Sequence, residues 1–112
     1  MTQRVYKGSD LKLNIKLIDK NGITYRVSEV SNFSIKFYTS DISSAIECTY
    51  GAETSGILQG VSVDSAILNS VDLDNLHRGL LRYTYHIQVE NSSFQDGLYD
   101  EIVEGTTSIY LA

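Results

Sequence analysis

The amino-acid sequence predicts an all-β domain in which two antiparallel sheets pack as a sandwich. The clearest observation is the stretch 81–89, in which apolar residues occupy every second position. Successive side chains of a strand point to opposite faces, so this stretch has one buried face and one exposed face. No segment shows the 3.6-residue apolar periodicity of a helix, and turn signals recur about every 8–12 residues, which is typical of a sandwich. The face predicted to be buried comprises Leu81, Tyr83, Tyr85, Ile87 and Val89.

The N-terminal half contains the next clearest strands. Apolar residues alternate with polar ones over 11–18, which predicts the first strand. Asn21-Gly22 follows, and this pair readily supplies the positive φ of a tight turn, so 23–27 is predicted to return as a hairpin partner. Alternation over 33–39 predicts another strand. Its inward face carries Phe33, Ile35 and Phe37.

The remaining elements are predicted from shorter patterns. A helical turn is predicted at Asp72–Leu76, with Asp72 as its N-cap, Gly79 as a left-handed exit, and Leu73 and Leu76 plugging one end of the core. The other predicted elements are a turn over 40–44, a short strand over 45–50, a connection over 51–56, strands over 57–63, 66–71, 98–103 and 106–111, and a loop over 91–97. In total the patterns give seven to nine strands, as in an immunoglobulin-like sandwich.

Length and charge limit the classes of function. The 112 residues predict a single domain spanning 1–112, with 42% hydrophobic residues to build its core. Nine basic against fourteen acidic residues give a net charge of −5, which argues against nucleic acid as a partner. No stretch approaches the roughly 20 apolar residues of a membrane helix, and the N-terminus lacks an apolar signal core. We therefore expect synthesis in the cytoplasm and no membrane partner.

Few residues suggest catalysis or metal binding. Cys48 is the only cysteine and has no neighbouring base, so it is interpreted as a small core hydrophobe. His86 is predicted to be a surface or interface histidine, and His77 to be solvated in a turn. No phosphate loop, paired metal motif or nucleophile elbow occurs. The sequence therefore predicts a protein that is not an enzyme and has no cofactor.

Two acidic groups leave calcium binding as an alternative. Asp72, Asp74 and Asn75 form one oxygen-rich turn, and a second group lies between residues 96 and 104. Neither has the spacing of a known calcium loop, so a solvated acidic face is the preferred interpretation. The second group comprises Asp96, Asp100, Glu101 and Glu104.

Tyrosine content and strand parity predict a protein-binding surface. The chain has eight tyrosines and no tryptophan, and tyrosine is enriched in protein interfaces. The segments Thr2–Tyr6 and Thr106–Ala112 are expected to add strands to neighbours. With no proline present, edge strands are protected either by lysines such as Lys12, Lys16 and Lys36 or by pairing with another subunit. The predicted contact residues are Val5, Tyr6, Tyr25, Tyr38, Arg82, Thr84, His86, Gln88, Ile109 and Tyr110.

Several segments carry a resemblance to a known family. Lys7-Gly8-Ser9-Asp10 precedes the first strand, Asp19-Lys20-Asn21-Gly22 follows it, and 27–37 forms the next strand region. Further on, Leu76-x-x-Gly79 leads into the long strand with Tyr83 and Tyr85, and Gly105 precedes the closing strand. This order resembles the immunoglobulin-like N-terminal domain of bacteriophage baseplate upper proteins and related tail or head fibre proteins.

The resemblance implies a structural role in a phage particle. The expected function is that of a non-enzymatic virion protein, either a head fibre, a capsid decoration or a tail or baseplate component. Such a protein binds other virion subunits, as a homo-oligomer or in a hetero-assembly, after synthesis in the host cytoplasm. Two alternatives come from other classes: a carbohydrate- or protein-binding module of a bacterial surface system, and a small hydrolase or isomerase that uses His86, His77 or the acids of 96–104.

Overall fold

The computed structural model describes residues 3–40, 44–48 and 55–112, which form an all-β arrangement. The predicted turn over 40–44 and connection over 51–56 lie largely outside these residues. In the described part of the chain the strands are β1 (Gln3–Val5), β2 (Leu11–Ile15), β3 (Leu17–Ile18), β4 (Thr24–Tyr25), β5 (Asn32–Tyr38), β6 (Ile46–Cys48), β7 (Gly56–Gln59), β8 (Asp64–Leu68), β9 (Gly79–Glu90) and β10 (Leu98–Leu111). A 3-10 turn (Val27–Glu29) and one α-helix, α1 (Ser70–Asp74), complete this part.

The strands form three sheets. The largest has five strands in the order β1-β10-β9-β5-β6, the second has the order β2-β8-β7, and the third is the β3-β4 hairpin. All neighbours are antiparallel except β1 and β10, which are parallel. The predicted antiparallel arrangement is therefore correct for every other pair and wrong for β1.

The core lies on the inner face of the five-stranded sheet. On the face of β9 predicted to be buried, Leu81, Tyr85 and Ile87 are at most 4% exposed, whereas Tyr83 and Val89 are only partly buried. Ile35 and Phe37 of β5 lie beside them and are also buried, as predicted. Apolar side chains of the second sheet pack against the same cluster, among them Ala66, Leu68, Leu11 and Leu13.

The first predicted strand is divided in two. Residues 11–15 pair with β8, whereas Leu17–Ile18 pairs with β4. The Tyr85 hydroxyl accepts a hydrogen bond from the Ile18 N–H at 2.9 Å and donates one to the Ile18 carbonyl at 2.6 Å. The Tyr85 side chain thus hydrogen-bonds both the N–H and the carbonyl of Ile18, so these groups are not paired with β8. The chain leaves the β8 ladder here and forms the predicted Asn21-Gly22 hairpin with Thr24–Tyr25.

The predicted helical turn forms slightly earlier than expected. Asn69, not Asp72, is the N-cap, and its side chain accepts a hydrogen bond from the Asp72 N–H at 2.8 Å. Leu73 and Leu76 are 0% and 1% exposed, which confirms their predicted burial. Gly79 has a positive φ of 148° but begins β9 and does not cap α1. No helix in the described part of the chain has the length and apolar character needed to cross a membrane.

The two predicted C-terminal strands form one continuous strand, β10. Gly105 pairs with Tyr83, and an added Cβ at Gly105 would collide with the Tyr83 ring, so the glycine lets this aromatic side chain lie across the strand. The pairing shifts register between Thr106 and Tyr110. There Thr107 Oγ1 donates to the Leu81 carbonyl at 2.8 Å and accepts from the Ile109 N–H at 3.0 Å, so a side chain bridges the irregularity.

Candidate interaction surface

The outward side chains of β5, β9 and β10 form one continuous surface, called the outer face below. Strand register places them in rows across the sheet, because directly paired residues share a face. Tyr38 lies beside Arg82, Ser34 beside His86, and His86 beside Ile102. The outer face comprises Asn32, Ser34, Lys36, Tyr38, Arg82, Thr84, His86, Gln88, Asp100, Ile102 and Glu104.

Hydrogen bonds between neighbouring strands fix many of these side chains. The Tyr38 and Thr84 hydroxyls are 3.0 Å apart, and Asn32 Nδ2 donates to Gln88 Oε1 at 2.9 Å. Asp100 Oδ1 lies 2.9 Å from His86 Nε2 and accepts from Gln88 Nε2 at 3.1 Å. Fixed side chains lose less conformational entropy when a partner binds, so the outer face is partly preorganised for contact.

One apolar side chain stands out within this polar lattice. Ile102 is 68% exposed and lies directly beside His86 on the outer face. Ile102 was not among the predicted contact residues, because residues 96–104 were interpreted only as a group of acids. The alternation Asp100, Ile102, Glu104 was the signal that placed Ile102 outward.

The predicted contact residues fall into two groups. Tyr38, Arg82, Thr84, His86 and Gln88 all lie on the outer face, as their parity predicted. Tyr110 continues the same side of the sheet, where its ring packs under the Arg4 guanidinium at 5.6 Å.

The other predicted contact residues lie elsewhere. Ile109 is 5% exposed because β10 turns it toward the core, so a partner cannot reach its side chain and its prediction as a contact residue is corrected here. Val5 is half-buried against the same core, and Tyr25 is partly buried, with its hydroxyl donating to Asp19 Oδ2 at 3.2 Å. Tyr6 is 64% exposed, beyond the end of β1.

The terminal segments differ from the prediction that both are free to pair with neighbours. Residues 109–111 of β10 have β1 on one side, and Tyr110 and Leu111 pair with β9 on the other. This part of 106–112 is therefore already used within the chain, and the prediction is corrected for it. β1 pairs with β10 on one side only and forms an edge of the five-stranded sheet.

A groove follows the edge of β10 where β1 is absent. It lies between residues 100–104 and the β3-β4 hairpin, has a volume of about 740 Å³, and includes Ile18, Tyr83 and Lys16 in its walls. Glu101 points into it, accepts hydrogen bonds from the Lys20 N–H at 2.9 and 3.1 Å, and accepts one from the Tyr99 hydroxyl at 2.7 Å. The bond to Glu101 is the main reason that the pKa of Tyr99 is raised to about 12.

A second cleft lies beside β1 and residues 110–112. Its volume is about 570 Å³, and Arg4, Tyr6, Lys7, Arg78 and Tyr110 line it together with Asp74 and Ala112. Its three cations form no ion pair with any carboxylate in the described part of the chain. This cleft therefore combines positive charge with two exposed aromatic rings in a chain whose net charge is negative.

The candidate chemical groups are only partly brought together. His86 and Asp100 lie within hydrogen-bond distance on the outer face, at 2.9 Å, whereas Cys48 lies apart from them. Cys48 is buried in the core, and desolvation raises the pKa of its thiol to about 12, so it stays protonated and unreactive at neutral pH. Asp100 and Glu101 point to opposite faces of β10, so the acids of 96–104 do not converge on one ion as the calcium alternative required. Among the residues described, no group of three or more histidines, cysteines and acids could hold a metal.

Comparisons with known proteins identify no family. No protein-family model matches the chain, and no curated protein is similar enough in sequence to count as a relative.

Proposed function

We propose that the chain is a non-enzymatic structural or adaptor subunit of a bacteriophage particle, and that it binds another virion protein through the outer face. The sequence resemblance suggests the class of assembly. The observation that carries the binding role is the convergence of five predicted contact residues on one uncovered, hydrogen-bonded sheet surface with Ile102 exposed in it. The attachment point on the particle, whether capsid, tail or baseplate, follows from which partner this surface fits.

The proposal includes the finer fold assignment, an immunoglobulin-like sandwich. It is supported by the way the five-stranded and three-stranded sheets share one apolar core. It is supported also by the Tyr85 hydroxyl, whose two hydrogen bonds tie the long strand to the backbone of Ile18, 67 residues away in the chain.

The test uses the phage whose genome encodes the chain. Particles are purified from cells expressing a tagged copy, and the chain is quantified in them by mass spectrometry. Thr84→Arg places a long, charged side chain at the centre of the outer face and is expected to reduce incorporation at least about tenfold, since its bulk prevents a complementary surface from closing over the sheet. Val61→Arg is the matched control, because Val61 is fully exposed on the β7-β8 turn and lies off the outer face.

Two results would overturn the proposal. If the unmodified chain is absent from purified particles, the virion role fails. If it is present and Thr84→Arg incorporates as well as Val61→Arg, the outer face is not the attachment surface. Circular dichroism of both purified variants establishes that each is folded before incorporation is compared.

The second cleft favours one further candidate function, a carbohydrate-binding module. Arginine and lysine bind carboxylates, and exposed tyrosine rings such as Tyr6 stack on sugar rings. This function predicts that the purified chain binds an acidic sugar such as a uronic acid oligomer, measured by isothermal titration calorimetry. Arg78→Ala would abolish that binding, and Lys36→Ala, a cation outside the cleft, would leave it unchanged. If no acidic sugar produces a heat of binding, the carbohydrate-binding function is excluded.

A further inference from the structure

The edge of β10 at one side of the five-stranded sheet is only partly covered by β1. β1 covers β10 only along residues 109–111, and in the part of the chain that the structure describes, residues 98–106 have no backbone partner on that side. Among the described strands, none pairs with the outer side of β1. Two unpaired edges, one on β10 and one on β1, therefore lie on the same side of the sheet.

The two edges match in strand direction when a second copy is present. β1 runs parallel to β10 of its own chain. A two-fold axis perpendicular to the sheet reverses the direction of the second copy's β10, so β1 is antiparallel to it. This is the more stable of the two pairing modes. In this arrangement, β1 of each copy lies beside the uncovered edge at residues 98–106 of the other copy.

The two edges are opposite in charge. Residues 3–7 carry Arg4 and Lys7 and no acid, whereas residues 98–104 carry three acids and no base. Of these acids, Asp100 is bonded to His86 and Glu101 to Lys20. The side chain of Glu104 is exposed and forms no hydrogen bond or ion pair with the described residues.

Arg4 and Glu104 also lie on the same side of the sheet. Register with Tyr110 places Arg4 on the side of the outer face, and register with Thr84 places Glu104 there. On the inner side, Val5 of one copy would meet the groove that contains Val103 of the other. Direct pairing of the two copies' residues 98–104 is disfavoured, because it sets acids against acids across the strands.

We propose that this edge is a self-association surface, in which β1 of each copy pairs with residues 98–106 of β10 of the other. The two five-stranded sheets thereby join as one continuous sheet of ten strands with two-fold symmetry. Arg4 of one copy lies near Glu104 of the other in both halves of the interface. The pairing joins backbone edges, and Glu104 is the outer-face side chain that takes part in it, so dimerisation of the purified chain is measured separately from incorporation into particles.

A charge exchange tests the proposal. Sedimentation equilibrium of the purified chain, at concentrations up to about 1 mM, is expected to show a monomer–dimer equilibrium. Arg4→Glu and Glu104→Arg each place like charges opposite one another and are expected to weaken dimerisation at least about tenfold. The double variant restores opposite charges and is expected to recover most of the affinity. Glu47→Arg makes the same charge change on β6, the opposite edge of the sheet, and is expected to dimerise normally.

Other outcomes overturn the proposal. A chain that stays monomeric over the whole concentration range has no such interface. A dimer that is weakened by Glu47→Arg and not by Arg4→Glu uses the β6 edge instead. If the double variant dimerises no more tightly than the two single variants, Arg4 and Glu104 are not in contact across the interface. Urea unfolding midpoints of all four variants ensure that only folded chains are compared.

Discussion

Two regions of the molecule hold an acid and a base at nearly the same distance, yet they differ in what surrounds them. Arg26 Nη2 lies 2.7 Å from Asp64 Oδ1, and His86 Nε2 lies 2.9 Å from Asp100 Oδ1. The Asp64 side chain is only 4% exposed, whereas both members of the second pair are about half exposed, at 46% and 45%. Distance alone therefore does not indicate which pair stabilises the fold.

The first pair is part of a larger clamp. Asp64 also accepts hydrogen bonds from Arg26 Nε at 2.9 Å and from the Val27 N–H at 2.9 Å, and Arg26 Nη2 donates to the Gly60 carbonyl at 2.7 Å. The clamp joins the β7-β8 hairpin to the 3-10 turn. The second pair joins two strands that a ladder already joins, and water competes for its polar groups. A buried acid with several donors stabilises more than an exposed pair.

The largest effect is expected from Asp64→Asn. This change removes the charge and leaves at least one donor of the clamp without an acceptor, so we expect the free energy of unfolding to fall by about 1.5–3 kcal/mol. Urea unfolding followed by circular dichroism measures it. A loss below about 0.5 kcal/mol would show that the clamp contributes no more than a surface contact.

The same carboxylate makes stability depend on pH in acid. The hydrogen bond from Arg26 is the main cause that holds the pKa of Asp64 below its ordinary value of 3.8, with the Val27 N–H acting in the same direction and burial opposing both. The folded chain therefore binds this proton less tightly than the unfolded chain. The stabilisation is fully present above pH 3.8 and is lost as the pH falls through the lower folded pKa.

Asp64→Asn should consequently flatten the acid limb of the stability profile. Urea midpoints of the unmodified and variant chains, measured between about pH 2 and pH 7, are expected to converge toward low pH. Profiles that stay parallel over that range would mean that another carboxylate causes the acid loss.

An intermediate effect is expected from Tyr85→Phe, which tests a neutral anchor against the charged clamp. The change removes both hydrogen bonds to Ile18 and keeps the buried ring. Because Ile18 is partly exposed and water can replace the hydroxyl, we expect a loss of about 1 kcal/mol. Thermal unfolding measures the change, with Tyr6→Phe as the control for loss of an exposed tyrosine hydroxyl, since Tyr6 is 64% exposed. Equal losses of stability in the two variants would show that the hydrogen bonds to Ile18 stabilise the fold no more than an exposed hydroxyl does.

The smallest effect is expected from Asp100→Asn. Asp100 and its hydrogen-bond partner His86 are both about half exposed, so the free energy of unfolding should change by less than about 0.5 kcal/mol. Urea unfolding at low and high salt checks this, since screening further weakens exposed pairs. A loss as large as that of Asp64→Asn would remove the distinction between the two regions.

Local pattern predicted those features that depend on neighbours in the sequence. The alternation over 81–89 predicted both faces of β9, and Asn21-Gly22 predicted the β3-β4 hairpin. The cap of α1 was misplaced by three residues because Asn69 and Asp72 are both good cap residues at that spacing.

Features that depend on distant residues were not predicted. Arg26 and Asp64 lie 38 positions apart, and nothing near either one indicates the other. Ile109 and Tyr110 are neighbours on β10 and point to opposite faces, and which of the two is buried depends on how β10 packs on the core. The outer face was predicted on β9 and not on β10, since the acids of 100–104 fit either an ion site or an alternating strand and their local pattern does not distinguish the two.

The parallel pairing of β1 with β10 has a consequence for how the chain folds. It joins Gln3 to Ile109, nearly the whole length of the chain apart, so it closes the longest loop in the fold. Loop-closure entropy rises with length, and only three residues of pairing offset it. β1 should therefore dock late in folding and open first in the native state, and its amides should exchange with solvent deuterium faster than those at the centre of β9.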